Sequence, residues 1–359
     1  MSSEGEIIVV TGGAGFLGQH IVKHLQEKGD NLKEIRVFDR KVYQNRLGHK
    51  EDTPMWSIVG DLCNPDEVVS ALKGANSVYH VAGLVSFGTF PDIEGMEKVN
   101  VEGTRNVIEA CLKQSVSRLV FCSTVDVVIG FDEIIDGDEV TTCKPEHFLF
   151  PGYPDTKHRA ELSVLDANSQ QLPNGKKLHT LSLRPNVMYG EGDPYFVVNP
   201  LAAAKKAGGT LYKVGNGNAL FQQSYVGNVA WAFILADRAL KRRPTTVGGQ
   251  VFFVPDDTPI QSVFDFMHPF LTARGYKLSK GSIPYWLLYC LMYLTETVLW
   301  IISPFVKINL NTPLCSIIYS NMSLFFNRNK AEKLLGYKPI YTPVQSIKRS
   351  VQYYKDTKL

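Results

Sequence analysis

Tyr153 and Lys157 stand four residues apart, a spacing that sets a phenol and an ammonium one turn apart on the same face of a helix. Such a pair suits removal of a proton from an alcohol whose carbon gives up a hydride. A free phenol has a pKa of about 10, so bringing it near neutrality takes roughly 4 kcal/mol. A cation about 4 Å away at an effective dielectric of about 20 supplies roughly that much. Spacing alone does not single out this pair, because Tyr276 with Lys280 and Tyr354 with Lys358 repeat it. Position does: only Tyr153 opens a helix after a strand that ends in Ser123-Thr124, whereas the other two read as surface pairs. Ser123 or Thr124 would hold the substrate oxygen, and because strand side chains alternate, one of the two faces inward; Thr124 is the favoured candidate. Tyr153 is then the base, Lys157 its electrostatic partner and a ligand for ribose hydroxyls.

A hydride needs an acceptor, and the first eighteen residues propose one. Ile7 to Val10 form a short apolar run that ends in Thr11-Gly12-Gly13-Ala14-Gly15-Phe16-Leu17-Gly18 and then a helical pattern. Gly12 permits the tight turn, Gly15 lets the backbone approach phosphate oxygens, Gly18 lets helix and strand pack closely, and the free N–H groups of the helix face the anion. Gly13, Phe16 and Leu17 complete this cofactor-facing set. A second strand, Ile35 to Phe38, ends at Asp39, about twenty residues on, where an acid accepts from both adenosine ribose hydroxyls and repels a 2′-phosphate, favouring NAD over NADP. Arg40, the one residue that could offset such a phosphate, reads as a solvated charge at a strand end.

The remaining order of elements positions these groups. Ser57 to Asp61, Ser77 to Gly83, Arg118 to Phe121 and His179 to Leu183 read as strands, alternating with helices at 67–72, 99–113 and 157–167. That order predicts a Rossmann-type, doubly wound parallel α/β sheet, in which strand ends overhang the ligand crevice. Asp61, Leu62 and Ala82 are therefore cofactor-side candidates. Asp61 could accept from the adenine amino group or cap the helix near Pro65. His80 reads as a packed core residue. The expected division is a cofactor domain over 1–190 and a smaller substrate-binding region over 191–359.

Bulk properties exclude other classes. The net charge of +3 over 359 residues and the lack of a basic run interleaved with aromatics argue against a nucleic-acid partner. The six cysteines are scattered without metal-ligand spacing, so no metal is expected. The early first strand leaves no room for a signal segment and predicts a cytosolic nucleotide fold with reduced thiols.

The glycine turn, the Tyr153/Lys157 pair and Ser123-Thr124 resemble the extended short-chain dehydrogenase/reductases. Val37-Phe38-Asp39, His80 to Val85, Val99 to Cys111, Leu183-Arg184-Pro185, Tyr189 to Gly192, Tyr225 to Trp231, Gly249 to Pro259 and Lys330 to Pro339 narrow the resemblance to the 3β-hydroxysteroid dehydrogenase/Δ5-isomerase family. It implies oxidation of a 3β-hydroxyl on a sterol or steroid by NAD through Thr124, Tyr153 and Lys157. It also implies a Δ5 to Δ4 double-bond shift in many members, assigned to a tyrosine and a nearby aspartate. The tyrosine position is Phe253 here, and Asp256 or Asp257 reads either as the acid/base or as a turn and cap residue before Pro259. A homodimer is compatible with the resemblance.

Residues 283–306 are apolar apart from Glu296 and small hydroxyls, long enough to span a bilayer, and carry Trp286, Tyr289 and Trp300 suited to an interface. A span, an in-plane membrane segment and a buried core helix all fit this pattern. The resemblance implies membrane lipid as a partner, at the endoplasmic reticulum with the catalytic domain facing the cytosol, or at mitochondria. A nucleotide-sugar epimerase or dehydratase uses the same fold and Tyr/Lys pair on a polar substrate and is the competing enzyme. A non-catalytic NAD sensor is the competing class.

Overall fold

The computed structural model describes residues 5–310 and 312–359. Among the described residues, seven strands form one parallel sheet: β1 (Glu6–Thr11), β2 (Leu32–Asp39), β3 (Met55–Val59), β4 (Ser77–His80), β5 (Arg118–Cys122), β6 (His179–Arg184) and β7 (Gln250–Phe253), in the spatial order β7-β6-β5-β4-β1-β2-β3. The strands are rich in β-branched residues and the central ones are buried on both faces, as a sheet covered by helices on each side requires. Winding reverses between β1 and β4, where Thr11 pairs with His80, and the crevice opens beyond those strand ends.

One face of the sheet is covered by the helices Phe16–Lys28 and Val226–Arg242, whose apolar sides join Ile8, Val10, Val120 and Leu181 in a single core. The other is covered by Pro65–Ala71, Gly103–Gln114 and Tyr153–Asp166, packed on Val9, Val78, Leu119 and Phe121. The doubly wound sheet expected from the sequence is present.

The sheet does not end where the expected division at residue 190 falls. β7 adds an edge strand beside β6, and the helix Val226–Arg242 packs against the glycine-turn helix, so the later chain builds part of the cofactor body. A shorter parallel pair, Thr210–Val214 with Lys277–Ile283, and the pair Ile134–Gly137 with Leu324–Phe326 lie outside this sheet.

The apolar segment forms the helix Tyr285–Ile302, which stands off the body. Leu299 is its one buried residue, and Trp286, Leu294 and Trp300 are exposed at 67%, 63% and 71%. The buried-core reading is overturned, because a core helix would bury a whole apolar face and this one buries a single residue. Both of its ends return to the same body. It leaves directly from the strand Lys277–Ile283, and beyond it the Asn309 carboxamide accepts from Phe90 N–H at 3.2 Å. Glu296, the acid inside the apolar run, accepts from Leu314 N–H at 2.6 Å and so fixes the start of the helix Leu314–Tyr319.

Candidate active site

At the mouth of the crevice, the glycine turn is shaped by contacts that a side chain would break. Gly12 has a φ of +72°, and a Cβ there would lie 2.6 Å from Ala82 Cα, while a Cβ on Gly13 would meet Val37 Cγ1 at 2.7 Å. Gly18 abuts the Gly12 carbonyl and the Gly13 backbone, closing helix onto strand. Gly15 differs: the nearest atom to a Cβ there is the Gly12 oxygen at 3.1 Å, and the helix it precedes has no side-chain cap. Open ground thus faces uncapped N–H groups at the N-terminus of a thirteen-residue helix, the environment a phosphate takes.

Leu17 is buried under the turn, whereas Phe16 lies partly exposed against Gly192 and His20. At the end of β2, Asp39 accepts from Ala14 N–H at 3.1 Å and from Lys41 N–H at 3.0 Å, which holds its carboxylate beside the turn, in reach of a ribose. These residues fit a dinucleotide. Arg40 points to solvent, 3.9 Å from Asp61, as the sequence implied.

Asp61 accepts from Cys63 N–H at 2.9 Å, and the capping role weighed for it belongs to Asn64, which accepts from Asp66 N–H. Leu62 is buried, and its carbonyl accepts from the Asn106 carboxamide at 2.7 Å. His80 is fully buried between Thr11 Oγ1 at 2.7 Å and Thr104 Oγ1 at 3.0 Å, and burial pulls its pKa down to about 3. It is a neutral structural group.

Deeper in the crevice, Tyr153 is the first residue of its helix and Lys157 lies one turn on, 5% exposed, with its ammonium 4.1 Å from the centre of the Phe121 ring. Burial pulls the Lys157 pKa down to about 8. Tyr153 behaves unlike the lysine-activated phenol expected from spacing. Burial, then the Asp126 carboxylate, push it well above the usual phenol range, and the nearby Thr124 hydroxyl opposes them. The physical reason is burial first and then charge: the phenol is taken out of water beside a carboxylate, while the ammonium sits over the Phe121 ring.

Thr124 faces Tyr153, and its hydroxyl donates to Asp126 Oδ2 at 3.0 Å. Ser123, just before it in the chain, is buried, and its hydroxyl has no hydrogen-bond partner among the described residues. Of the two other Tyr-x-x-x-Lys matches, the second is not a surface pair. Tyr354 is fully buried, donating to Asp193 Oδ2 at 2.8 Å and accepting from Gly190 N–H at 2.9 Å. That tyrosine pins the C-terminal helix Pro343–Asp356 to the loop after residue 189.

Three further residues complete the constellation. Asn100, on a widened π-helical turn at Glu97–Glu102, donates to the Leu84 carbonyl at 2.9 Å and to Thr156 Oγ1 at 3.1 Å, tying the β4 exit to the residue before Lys157. Asp126 and Tyr319 face each other beside Tyr153, the phenol drawing the carboxyl's pKa down and the carboxylate pushing the phenol's up. Asp126 is marked in sequence only by following Thr124 at two residues, and nothing along the chain connects it with Tyr319. Around Tyr153 the walls are aromatic: Phe87 lies 6.0 Å from its ring, 5.7 Å from Phe150 and 6.4 Å from Tyr195, and Phe150 lies 5.2 Å from Tyr319.

The carboxylates expected to shift a ring proton are committed elsewhere. Asp256 is buried and accepts from Tyr225 N–H, the Asn228 amide and Thr258 N–H, which is the turn-and-cap role. Asp257 pairs with Arg328 at 2.7 Å, and Phe253 is fully buried, stacked on Phe326 at 4.8 Å.

This arrangement of turn, acid and Tyr-Lys helix has close relatives. Residues 9–285 match the 3-beta hydroxysteroid dehydrogenase/isomerase family. The chain belongs to that family. It is an NAD-dependent oxidoreductase of the extended short-chain dehydrogenase type. Mouse 3 beta-hydroxysteroid dehydrogenase type 7 is 36% identical, covering 97% of this chain and 95% of its own. The mouse decarboxylating sterol-4-alpha-carboxylate 3-dehydrogenase is 32% identical, over 98% and 92%. Among solved structures, an epimerase from Methanothermobacter thermautotrophicus superposes with a TM-score of 0.72 at 18% identity, covering 98% of this chain and 93% of that one. The dTDP-glucose 4,6-dehydratase of Bacillus anthracis does so at 0.69 and 19%, over 98% and 97%. These two share the fold.

Proposed function

We propose that this protein oxidises the 3β-hydroxyl of a membrane-dissolved sterol or steroid to the 3-ketone, with Tyr153, Thr124 and Lys157 as its catalytic groups. Bound NAD supplies the hydride acceptor. The glycine turn holds the pyrophosphate, Asp39 the adenosine ribose, and Lys157 the ribose nearer the reacting carbon. Tyr153 takes the hydroxyl proton, and Thr124 orients the oxygen as it becomes a carbonyl.

The observation that carries the substrate class is the aromatic wall of Phe87, Phe150, Tyr195 and Tyr319 around the Tyr153 phenol. Such walls suit a fused apolar ring system and offer few partners to the hydroxyls and phosphates of a nucleotide sugar. The names of the two mouse relatives, one a hydroxysteroid and one a sterol dehydrogenase, agree with a sterol or steroid.

The helix Tyr285–Ile302 then lies in the membrane surface rather than across it. A spanning helix would leave its far end on the opposite side, and the returning backbone would cross hydrocarbon without hydrogen-bond partners. Contacts of Asn309 and Leu314 with the same body favour the in-plane arrangement, with the catalytic body on the cytosolic side of the endoplasmic reticulum.

The test is a turnover screen with NAD against 3β-hydroxysterols, C19 and C21 steroids and UDP-sugars, read as reduced nicotinamide. Accumulation with a 3β-hydroxysterol is expected. Turnover of a UDP-sugar, with none for any sterol, would overturn the proposal.

A further inference from the structure

The flanks of the apolar helix carry charge of one sign. Between Pro194 and Ala236 and between Phe266 and Ala331 the chain holds nine lysines and arginines against one acid, Glu296, although over its whole length cations and acids nearly balance at 38 and 35. Four of the nine serve the body: Arg274 donates to the Tyr354 carbonyl at 2.6 Å, Arg328 pairs with Asp257, Lys330 donates to the Val251 carbonyl at 2.9 Å and Lys205 to the Leu359 carbonyl at 3.2 Å. The other five, Lys206, Lys213, Lys277, Lys280 and Lys307, have no acid within ion-pair distance among the described residues. Lys277 and Lys280 stand just before the helix Tyr285–Ile302 and Lys307 just after it, all three exposed.

Two of these lysines line a groove of about 460 Å³ on the outer side of the parallel pair Thr210–Val214 and Lys277–Ile283, together with Thr210, Tyr212, Ser279 and Ser282. Leu211 and Leu278 pair with each other and pack on the main core, so the alternate residues Thr210, Tyr212 and Lys277 face outward. The register opens the groove. Leu278 pairs with Leu211 and Ser282 with Lys213, leaving Ser279, Lys280 and Gly281 opposite Tyr212 alone. The Ser279 hydroxyl fixes this arch, accepting from Lys213 N–H at 3.0 Å and donating to the Gly281 carbonyl at 2.5 Å. The same end of the pair abuts the apolar helix: Gly215 N–H donates to the Ile283 carbonyl at 2.9 Å, and a Cβ on Gly215 would lie 3.8 Å from Tyr285 Cβ.

We propose that this groove binds the phosphate-bearing headgroup of an anionic membrane lipid, with Lys277 and Lys280 meeting its charge and the Thr210 and Ser282 hydroxyls its oxygens. The inference rests on the in-plane placement of the helix proposed above. An 18-residue helix lying in the surface, about 27 Å long, brings the headgroup layer level with the residues that flank it at both ends. The groove opens where the helix begins, so a lipid whose headgroup sits there lays its acyl chains beside the exposed apolar side chains of the same helix. Unpaired ammonium groups in that layer strengthen binding to a negatively charged leaflet by roughly fivefold per lysine, an effect that salt screens. The apolar helix thus supplies attachment to any bilayer, and the groove supplies a preference among lipids.

Vesicle flotation of the full chain tests the groove. Wild-type protein should float with neutral phosphatidylcholine vesicles and bind about tenfold or more tightly when phosphatidylserine or phosphatidylinositol replaces part of the lipid, a gain that shrinks as salt is raised. The double variant Lys277→Glu/Lys280→Glu should lose that gain while keeping flotation with neutral vesicles and calorimetric NAD affinity at wild-type levels. A charge-matched control, Lys176→Glu/Lys177→Glu in the exposed turn before β6, should keep the gain. A gain retained in the groove variant, or lost equally in the control, would overturn the headgroup site, as would wild-type protein that floats equally well with both kinds of vesicle. Wild-type protein that floats with neither would sink the in-plane helix and this inference with it. Failure of every sterol to reduce NAD would instead sink the oxidation, and flotation, which needs no turnover, distinguishes the two cases.

Discussion

Gly12 and Gly15 are three residues apart in one turn, and the same substitution should damage the protein in opposite ways at the two positions. At Gly12 an alanine must adopt φ near +72° and push its methyl into the Ala82 backbone at 2.6 Å. The left-handed conformation and the overpacking together cost roughly 2–5 kcal/mol of stability. At Gly15, φ is −82°, which alanine adopts freely, and the one close atom is the Gly12 oxygen at 3.1 Å. A few tenths of an ångström of adjustment is offset by the entropy that alanine removes from the unfolded chain, leaving stability within about 1 kcal/mol of wild type. The new methyl, however, fills the space where phosphate oxygens would meet the N–H groups. One lost charge-assisted hydrogen bond is worth about 1.5–3 kcal/mol, or roughly 10- to 150-fold in Kd. Urea denaturation and NAD titration by calorimetry separate the two effects. A Gly15→Ala protein that binds NAD within twofold of wild type would refute the placement of the pyrophosphate on this turn.

Four further outcomes follow from the geometry. Tyr153→Phe should abolish sterol turnover while calorimetric NAD affinity stays within about threefold, since the phenol oxygen serves the substrate side. Glu161→Ala should destabilise the fold by about 3–5 kcal/mol in urea melts, because it strands the buried Arg184 guanidinium and Ser182 hydroxyl that Glu161 accepts from. His20, His24 and His80 are buried with pKa values lowered to about 4, 3 and 3, so the unfolded chain binds more protons below its ordinary value of about 6.5. Their stability contribution is present above that value and is lost as pH falls toward 4, at a combined slope of about 4 kcal/mol per pH unit, measurable as a falling urea midpoint between pH 6.5 and 5. Replacing Trp286, Leu294 and Trp300 together by aspartate should shift the protein from the membrane pellet to the supernatant, since each buried apolar side chain contributes about 1.5–3 kcal/mol to lipid partition.

The elements that could be read from the sequence are those whose cause is local. The apolar run into the glycine turn, Asp39 at the end of the next strand and the alternating order that builds β1 to β6 all depend on residues within one βαβ unit. What stayed hidden depends on contacts across the chain. β7 joins the sheet from 60 residues beyond the expected boundary at 190, because the exposed edge of β6 accepts whichever strand the later chain delivers. Tyr354 looks like a surface residue along its helix and becomes buried only because Gly190 and Asp193 lie beneath it. Asp126 and Tyr319 meet only through the return of the chain after the apolar helix, and the burial that this packing completes, with the Asp126 carboxylate second, makes the phenol of Tyr153 less acidic than its spacing from Lys157 implies.

That return path has a practical consequence for anyone wishing to remove the apolar helix. The greasy helix is not a tail that can be clipped. It is a loop-out between the strand Lys277–Ile283 and Tyr319, and beyond it come the strand Leu324–Phe326 and the closing helix Pro343–Asp356, both built into the interior. Truncation before Tyr285 would strip away the Asp126 partner and leave apolar core uncovered, whereas a short polar bridge from Ile283 to Pro313 would keep them.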